Sequence, residues 1–191
     1  SVRVTGRSGR PLVAGTARNV RVGRALVGAN TEHLSIGEPV AADEAPAVAR
    51  PSTELSGREV IDRIIAGELP IGPISELLGI GLAFDGDALV VTAPAEEWMG
   101  NIMGTMHGGM IAAIVAQGIS FGAQAATRPG GDYQLSDLAI AFLRSPAVDG
   151  RTLTMRIEPV KLGRRLSTFD TQLFDGETLL AHATVDVRFD V

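Results

Sequence analysis

Asn101, His107, Gly108 and Gly109 are the residues of this chain whose types and spacing could do chemistry. They stand in the run Asn101-Ile102-Met103-Gly104-Thr105-Met106-His107-Gly108-Gly109-Met110, and no Asp, Glu, Lys or Arg occurs from there through Thr127. A polar cluster and a glycine pair therefore stand where a long apolar segment begins. If that segment is a helix, its first turn offers unpaired backbone N–H groups and a partial positive charge, which together hold an oxyanion. Glycine lets a ligand approach that backbone closely. The same residues also have structural readings. Asn101 caps a turn, His107 braces a loop through a carbonyl, and the glycine pair gives the helix a tight entry.

The elements that position this cluster follow from pattern. Residues 108–126 read as one helix, stopped by Arg128-Pro129-Gly130-Gly131. Before it, Ser52 or Thr53 caps a helix predicted over residues 54–66, with Val60, Ile61, Ile64 and Ile65 on one side. Pro70-Ile71-Gly72-Pro73 reads as irregular, followed by a short apolar turn at Ile74, Leu77 and Leu78. Strands are predicted at residues 81–84 and 88–93, joined by Asp85-Gly86-Asp87, and after the long helix at 134–143, 153–161, 164–174 and 178–189. Helix, two strands, long apolar helix, four strands is the order expected of an α+β fold in which an antiparallel sheet wraps around one central helix.

Composition narrows the function. With 191 residues, 45% of them hydrophobic, and a formal net charge of −5, the chain is globular and poorly suited to nucleic acid. Zero cysteines exclude disulfides, thiolate metal sites and a cysteine nucleophile. His33, His107 and His182 are far apart, which argues against a histidine metal site. Residues 108–127 are about long enough to span a bilayer, and Gly118 and Gly122 form a GxxxG pair. Gln117, Ser120 and Gln124 interrupt the run, and apart from Arg128 no aromatic or basic anchors flank it. A soluble sheet buries such a helix equally well. No signal peptide opens the sequence. The expectation is a cytoplasmic protein that does not engage a membrane.

The chain repeats itself. Gly9-Arg10-Pro11-Leu12 returns as Gly150-Arg151-Thr152-Leu153, and Val20-Arg21-Val22-Gly23-Arg24-Ala25-Leu26 as Val160-Lys161-Leu162-Gly163-Arg164-Arg165-Leu166. Thr31 matches Thr171, and Gly37-Glu38-Pro39-Val40-Ala41-Ala42 matches Gly176-Glu177-Thr178-Leu179-Leu180-Ala181. Blocks in the same order and nearly the same spacing point to duplication. The division is then residues 1–42 as the C-terminal strands of an incomplete first copy, 43–53 as a linker, and 54–191 as a complete second unit.

Asn101, five intervening residues ending in Met106, then His107-Gly108-Gly109 at the start of a buried helix resembles the hotdog-fold acyl-CoA thioesterases, in particular the phenylacetate-pathway (PaaI-like) branch. Leu77-Leu78-Gly79 before the first strand, Asp137-Leu138-Ala139-Ile140-Ala141-Phe142-Leu143 after the helix, and Lys161-Leu162-Gly163-Arg164-Arg165-Leu166 at a strand turn support the likeness, which covers residues 71–191. The resemblance implies a thioester hydrolase working without metal or redox cofactor, with coenzyme A entering only as part of its substrate. It implies paired hotdog units, as a homo-oligomer or a tandem, with active sites between them.

The resemblance also assigns roles. Gly108 donates its N–H to the thioester carbonyl as an oxyanion hole, Asn101 orients the attacking water or the thioester, and His107 braces the loop and bonds Asn101. Gly109, Met110, Lys161, Gly163 and Arg164 contact substrate, the basic pair suiting the phosphates of coenzyme A. Met103, Met106, Met110 and Phe121 line an apolar tunnel. The family's carboxylate, general base or nucleophile, lies nine residues after the histidine. Here that position is Ala116, and the neighbouring Gln117 does not titrate. Two readings follow. In one, a tandem pair keeps one functional site, its carboxylate coming from the first copy. In the other, the protein binds acyl-CoA without cleaving it. A hydratase is disfavoured because His107 has no acid in the next nineteen residues.

Overall fold

The computed structural model describes residues 2–6, 8–16 and 52–190. Two strands, β1 (Val2–Thr5) and β2 (Pro11–Gly15), pair antiparallel in a small sheet of their own. The remaining first-copy counterparts, residues 20–26, Thr31 and residues 37–42, and most of the predicted linker lie outside the described residues.

Helix α1 (Gly57–Ile65) begins three residues later than the sequence pattern predicts, and Ser56, not Ser52 or Thr53, is its cap. Ser56 Oγ accepts from the Glu59 N–H at 3.3 Å while Glu59 Oε2 accepts from the Ser56 N–H at 2.8 Å. This reciprocal box satisfies two orphan donors at once, which a cap further upstream would leave open. Val60 and Ile61 are buried, as expected, but Ile65 is exposed. The predicted irregular stretch also gives way to structure: Pro73 opens a short helix, α2 (Pro73–Leu77), because a proline at the first helical position loses no hydrogen bond.

Six strands form the main sheet: β3 (Gly81–Asp85), β4 (Ala88–Pro94), β5 (Asp132–Phe142), β6 (Thr152–Lys161), β7 (Leu166–Asp175) and β8 (Thr178–Asp190). All pairings are antiparallel, in the order β3-β4-β6-β7-β8-β5. Strict alternation places Leu89, Val91, Leu153, Met155, Ile157, Phe169, Leu173, Ala183, Val185 and Val187 on one buried face. Helix α3 (Gly108–Ala125) lies on that face.

Gly118 and Gly122 make the approach close. A Cβ on Gly118 would meet Met155 Cε at 2.2 Å, and one on Gly122 would meet Ile157 Cγ2 at 2.5 Å. The GxxxG pair is thus a helix-to-sheet contact. Ile111, Ile114 and Ile119 complete the seal at 0% exposure. Each such side chain contributes about 1.5–3 kcal/mol by leaving water.

The opposite side of α3 is covered only in part, by α1 near its C-terminal end and by Ser75 of α2 at Gln117. Ala112, Ala113, Ala116, Gln117 and Ser120 are only half-buried, and Gly109 is exposed. The antiparallel sheet packs around the long helix as the α+β order predicts, and it does so from one side. Strand β5 borders the open side as a sheet edge, with Leu138 and Phe142 exposed.

Candidate active site

The segment after β4 is folded into a tight loop. A 3-10 turn (Glu97–Met99) leads into a bridge between Gly100 and Met106, so the chain reverses over the residues between. The Asn101 N–H donates to Thr105 O at 2.8 Å and the Gly104 N–H to Asn101 O at 3.0 Å. Gly104 takes φ 74°, a left-handed conformation that favours glycine. The base of the loop is pinned from both sides. The Met106 N–H donates to Pro146 O at 2.9 Å, the His107 N–H donates to Met99 O at 2.8 Å, and Thr105 bridges Ala147.

Asn101 fills this loop with its own side chain. Oδ1 accepts from the N–H groups of Met103 at 2.8 Å and Thr105 at 3.4 Å. Nδ2 donates to Thr105 Oγ1 at 3.2 Å and to Met106 O at 3.4 Å. His107 does not bond Asn101, contrary to expectation. It is the N-cap of α3, its Nδ1 accepting from the Gly109 N–H at 2.9 Å. With Nδ1 as acceptor, the neutral ring carries its proton on Nε2.

The helix entry then leaves one donor over. The Gly109 N–H is held by the imidazole, and those of Met110 and Ile111 go to His107 O at 2.9 and 3.2 Å. The Gly108 N–H has no acceptor among the described residues. Gly108 is half-buried, and a Cβ there would lie 3.8 Å from Phe142 Cε1, so the Phe142 ring borders it on the β5 side. A free amide in the first turn of an 18-residue helix polarises a carbonyl and stabilises the oxyanion it becomes.

Around the open side of α3, the polar groups are anchored. Ser75 of α2, 1% exposed, donates its hydroxyl to Gln117 Oε1 at 3.0 Å. Ser120 Oγ and Tyr133 OH are 2.7 Å apart. Burial pushes the Tyr133 phenol above its ordinary value, against the lowering effect of the Ser120 bond. Ala116 stands on this same half-exposed side and brings no carboxylate to it. Glu96 and Glu97 are exposed on the turn before the loop, where Trp98 is also exposed as a rim residue. His182 pairs with Asp170 at 2.7 Å, on neighbouring strands β8 and β7.

The structure therefore brings Asn101, His107, Gly108 and Gly109 together. It does not bring Lys161, Gly163 and Arg164 to them. Gly163 and Arg164 line a cleft with Ala126, Thr127 and Arg128 at the far end of α3, about 27 Å along the helix by its rise per residue. The Gly163 N–H is taken by Ser167 Oγ at 3.0 Å. Of the predicted tunnel residues, Met106 and Phe121 belong to the core, Met110 is half-buried against it, and Met103 is exposed. Sequence reasoning passed over Thr105 and Phe142. The signal for Thr105 was present, since Asn101 and Gly104 mark a turn whose next residue must meet the asparagine side chain. Phe142 is brought to Gly108 only by strand register, which no local pattern encodes.

Residues 95–188, which contain the loop, α3 and β5 to β8, match the family model of the acyl-CoA thioesterase N-terminal domain. Solved structures share the fold. A putative thioesterase described as phenylacetic acid degradation-related, from Ralstonia eutropha JMP134, superposes with a TM-score of 0.62 at 22% identity, covering 66% of this chain and 97% of that one. The Escherichia coli PaaI protein of the phenylacetic acid degradation operon gives 0.60 at 18% identity, covering 73% and 97%. A thioesterase from Haemophilus influenzae gives 0.57 at 20% identity, covering 70% and 90%. No curated protein matches in sequence. The fold is a hotdog, an antiparallel sheet with its long helix packed against it.

Proposed function

We propose that this chain hydrolyses an acyl-CoA thioester to a free acid and coenzyme A. The observation that carries the reading is the Gly108 N–H, left without an acceptor among the described residues at the entry of α3. The match of residues 95–188 to the acyl-CoA thioesterase model supports it. Water adds to the thioester carbon, the oxyanion that forms is held by the Gly108 N–H and the helix end, and collapse expels the coenzyme A sulfur. A carboxylate must take the proton from water. With alanine at residue 116, that carboxylate comes from the first hotdog copy implied by the repeat, because a second copy of this chain would bring Ala116 again. The open side of α3 and the β5 edge are where that unit seats, making the protein a tandem with one working site per pair, which could pair again as an oligomer. Ala116 also favours a second reading, in which the site holds an acyl-CoA without cleaving it.

A proline at residue 108 isolates the amide. Proline fits the first helical position, and His107 at φ −66°, ψ 133° already has the extended conformation a following proline demands. Across a panel of acyl-CoA thioesters, Gly108→Pro is expected to lower kcat by about 10²–10³-fold. Gly108→Ala keeps the N–H and makes only ordinary contact with Phe142, so its rate stays near the unmodified one. A Gly108→Pro enzyme as fast as Gly108→Ala would end this reading. Tight acyl-CoA binding with no turnover in the unmodified protein would select the binding reading instead.

A further inference from the structure

We propose that Thr105 is a positioning residue for this site, its hydroxyl locking the Asn101 carboxamide so that the pair shapes the loop that presents Gly108. The proposal rests on the thioesterase reading and changes the part played within it by Asn101.

A carboxamide has two acceptor lone pairs and two N–H donors. At Asn101 all four are spent inside the loop: on the N–H groups of Met103 and Thr105, on Thr105 Oγ1, and on Met106 O. No capacity remains for a water or a thioester. Thr105 is the hub of this closure. Its carbonyl accepts from the Asn101 N–H, its own N–H donates to Asn101 Oδ1, and its hydroxyl takes an Nδ2 proton. Its backbone bridges Ala147, outside the loop, and Met106 beside it is fixed to Pro146. Two residues further on stands His107, whose carbonyl and ring consume three of the four amides at the helix entry. The loop's shape thus reaches Gly108 through two residues of backbone, Met106 and His107, that hydrogen bonds to Pro146 and Met99 hold in place. Without the Thr105 hydroxyl, one Nδ2 proton loses its partner and three bonds hold the carboxamide less firmly.

Thr105→Val keeps the shape and removes the hydroxyl. In the full-length protein we expect kcat to fall about fivefold to tenfold, the worth of one hydrogen bond, with KM changed less than about twofold. Thr105→Ser restores the rate. Asn101→Ala with Thr105→Val is no slower than Asn101→Ala alone, because the two act as one unit. An unchanged kcat in Thr105→Val overturns the proposal and returns Asn101 to water or substrate. Hydrogen exchange of the unliganded protein gives a readout that needs no activity. The Met103 and Thr105 amides exchange faster in Thr105→Val, with the α3 amides unchanged. If the loop amides are unaffected, the brace is refuted even in a protein that cleaves no thioester, while loss of the thioesterase reading alone leaves the exchange result standing.

Discussion

The two sides of α3 are similar in size and opposite in cover. Both carry small and aliphatic residues, with Gln117 and Ser120 added on the open side, and the helix as a whole is apolar enough to pass for a membrane span by length and composition, yet only 39% of that stretch is buried. On the sealed side, Gly118 and Gly122 let Met155 and Ile157 come within reach of the backbone. On the open side, Ala112, Ala113 and Ala116 are just as small and stay half-exposed. Small residues on one side therefore serve close packing within the unit. On the other they keep a low face, the shape that the proposed second unit and its ligand would need. Hydropathy separates these duties only weakly; a steric probe separates them sharply.

Substituting valine on each side is that probe, and it carries the largest effect expected here. Gly122→Val drives two methyl groups into Ile157 and is expected to destabilise by about 1–3 kcal/mol, the range for overpacked cores. Ala112→Val, on the open side, should stay within about 0.5 kcal/mol, as surface substitutions do. Urea unfolding of both variants measures the difference. Equal losses would mean that the open side is packed as tightly as the sealed one.

That asymmetry marks where the sequence stops being legible. The element order, all six main strands and the extent of α3 follow from alternation, turn residues and the Pro129-Gly130 stop, because these are local signals. The cap of α1 was legible too, in Ser56 and Glu59 three residues apart, but Ser52 and Thr53 offered the same chemistry and only tertiary packing chooses between them. Which side of α3 meets the sheet is only weakly written in the sequence: Gln117, Ser120 and Gln124 share one face, but the rest of the helix is apolar and the sheet decides its orientation. The site divides the same way. Asn101, His107 and Gly108 could be picked out because their loop is contiguous. The separation of Lys161 and Arg164 from them, and the arrival of Phe142, depend on how strands pair across the sheet.

Ala116→Asp tests the open side chemically. Aspartate in a helix interior is less favourable than alanine by up to about 0.7 kcal/mol, and at a half-exposed position with open space no larger penalty is expected. Unfolding measurements check that bound. If the reciprocal site of a pair lacks only its base, the variant should also raise the thioester hydrolysis rate per chain. A well-folded Ala116→Asp protein without that gain would show that the open side does not face a substrate.

Tyr133 sits at the seam between the two sides, its hydroxyl against Ser120 on the half-exposed stripe of α3. It is the only tyrosine in the chain, so the ultraviolet absorbance of its phenolate can be followed without overlap from another phenol. Burial disfavours the phenolate and holds the folded-state pKa above 10.0, while the Ser120 bond pulls it down. The sign of the stability effect follows. A folded pKa above the unfolded one means that the contribution of Tyr133 is fully present below the unfolded value and is lost as pH rises through the folded one. Absorbance titration is expected to show a midpoint above 10.0, and Ser120→Ala should move it higher still, because it removes the lowering contact and leaves the burial. A second unit seated on the open side would exclude more water and raise the midpoint in the assembled form, so dilution should lower it. A midpoint at 10.0 in both proteins would mean that water reaches the seam freely and that the two sides are not separated there.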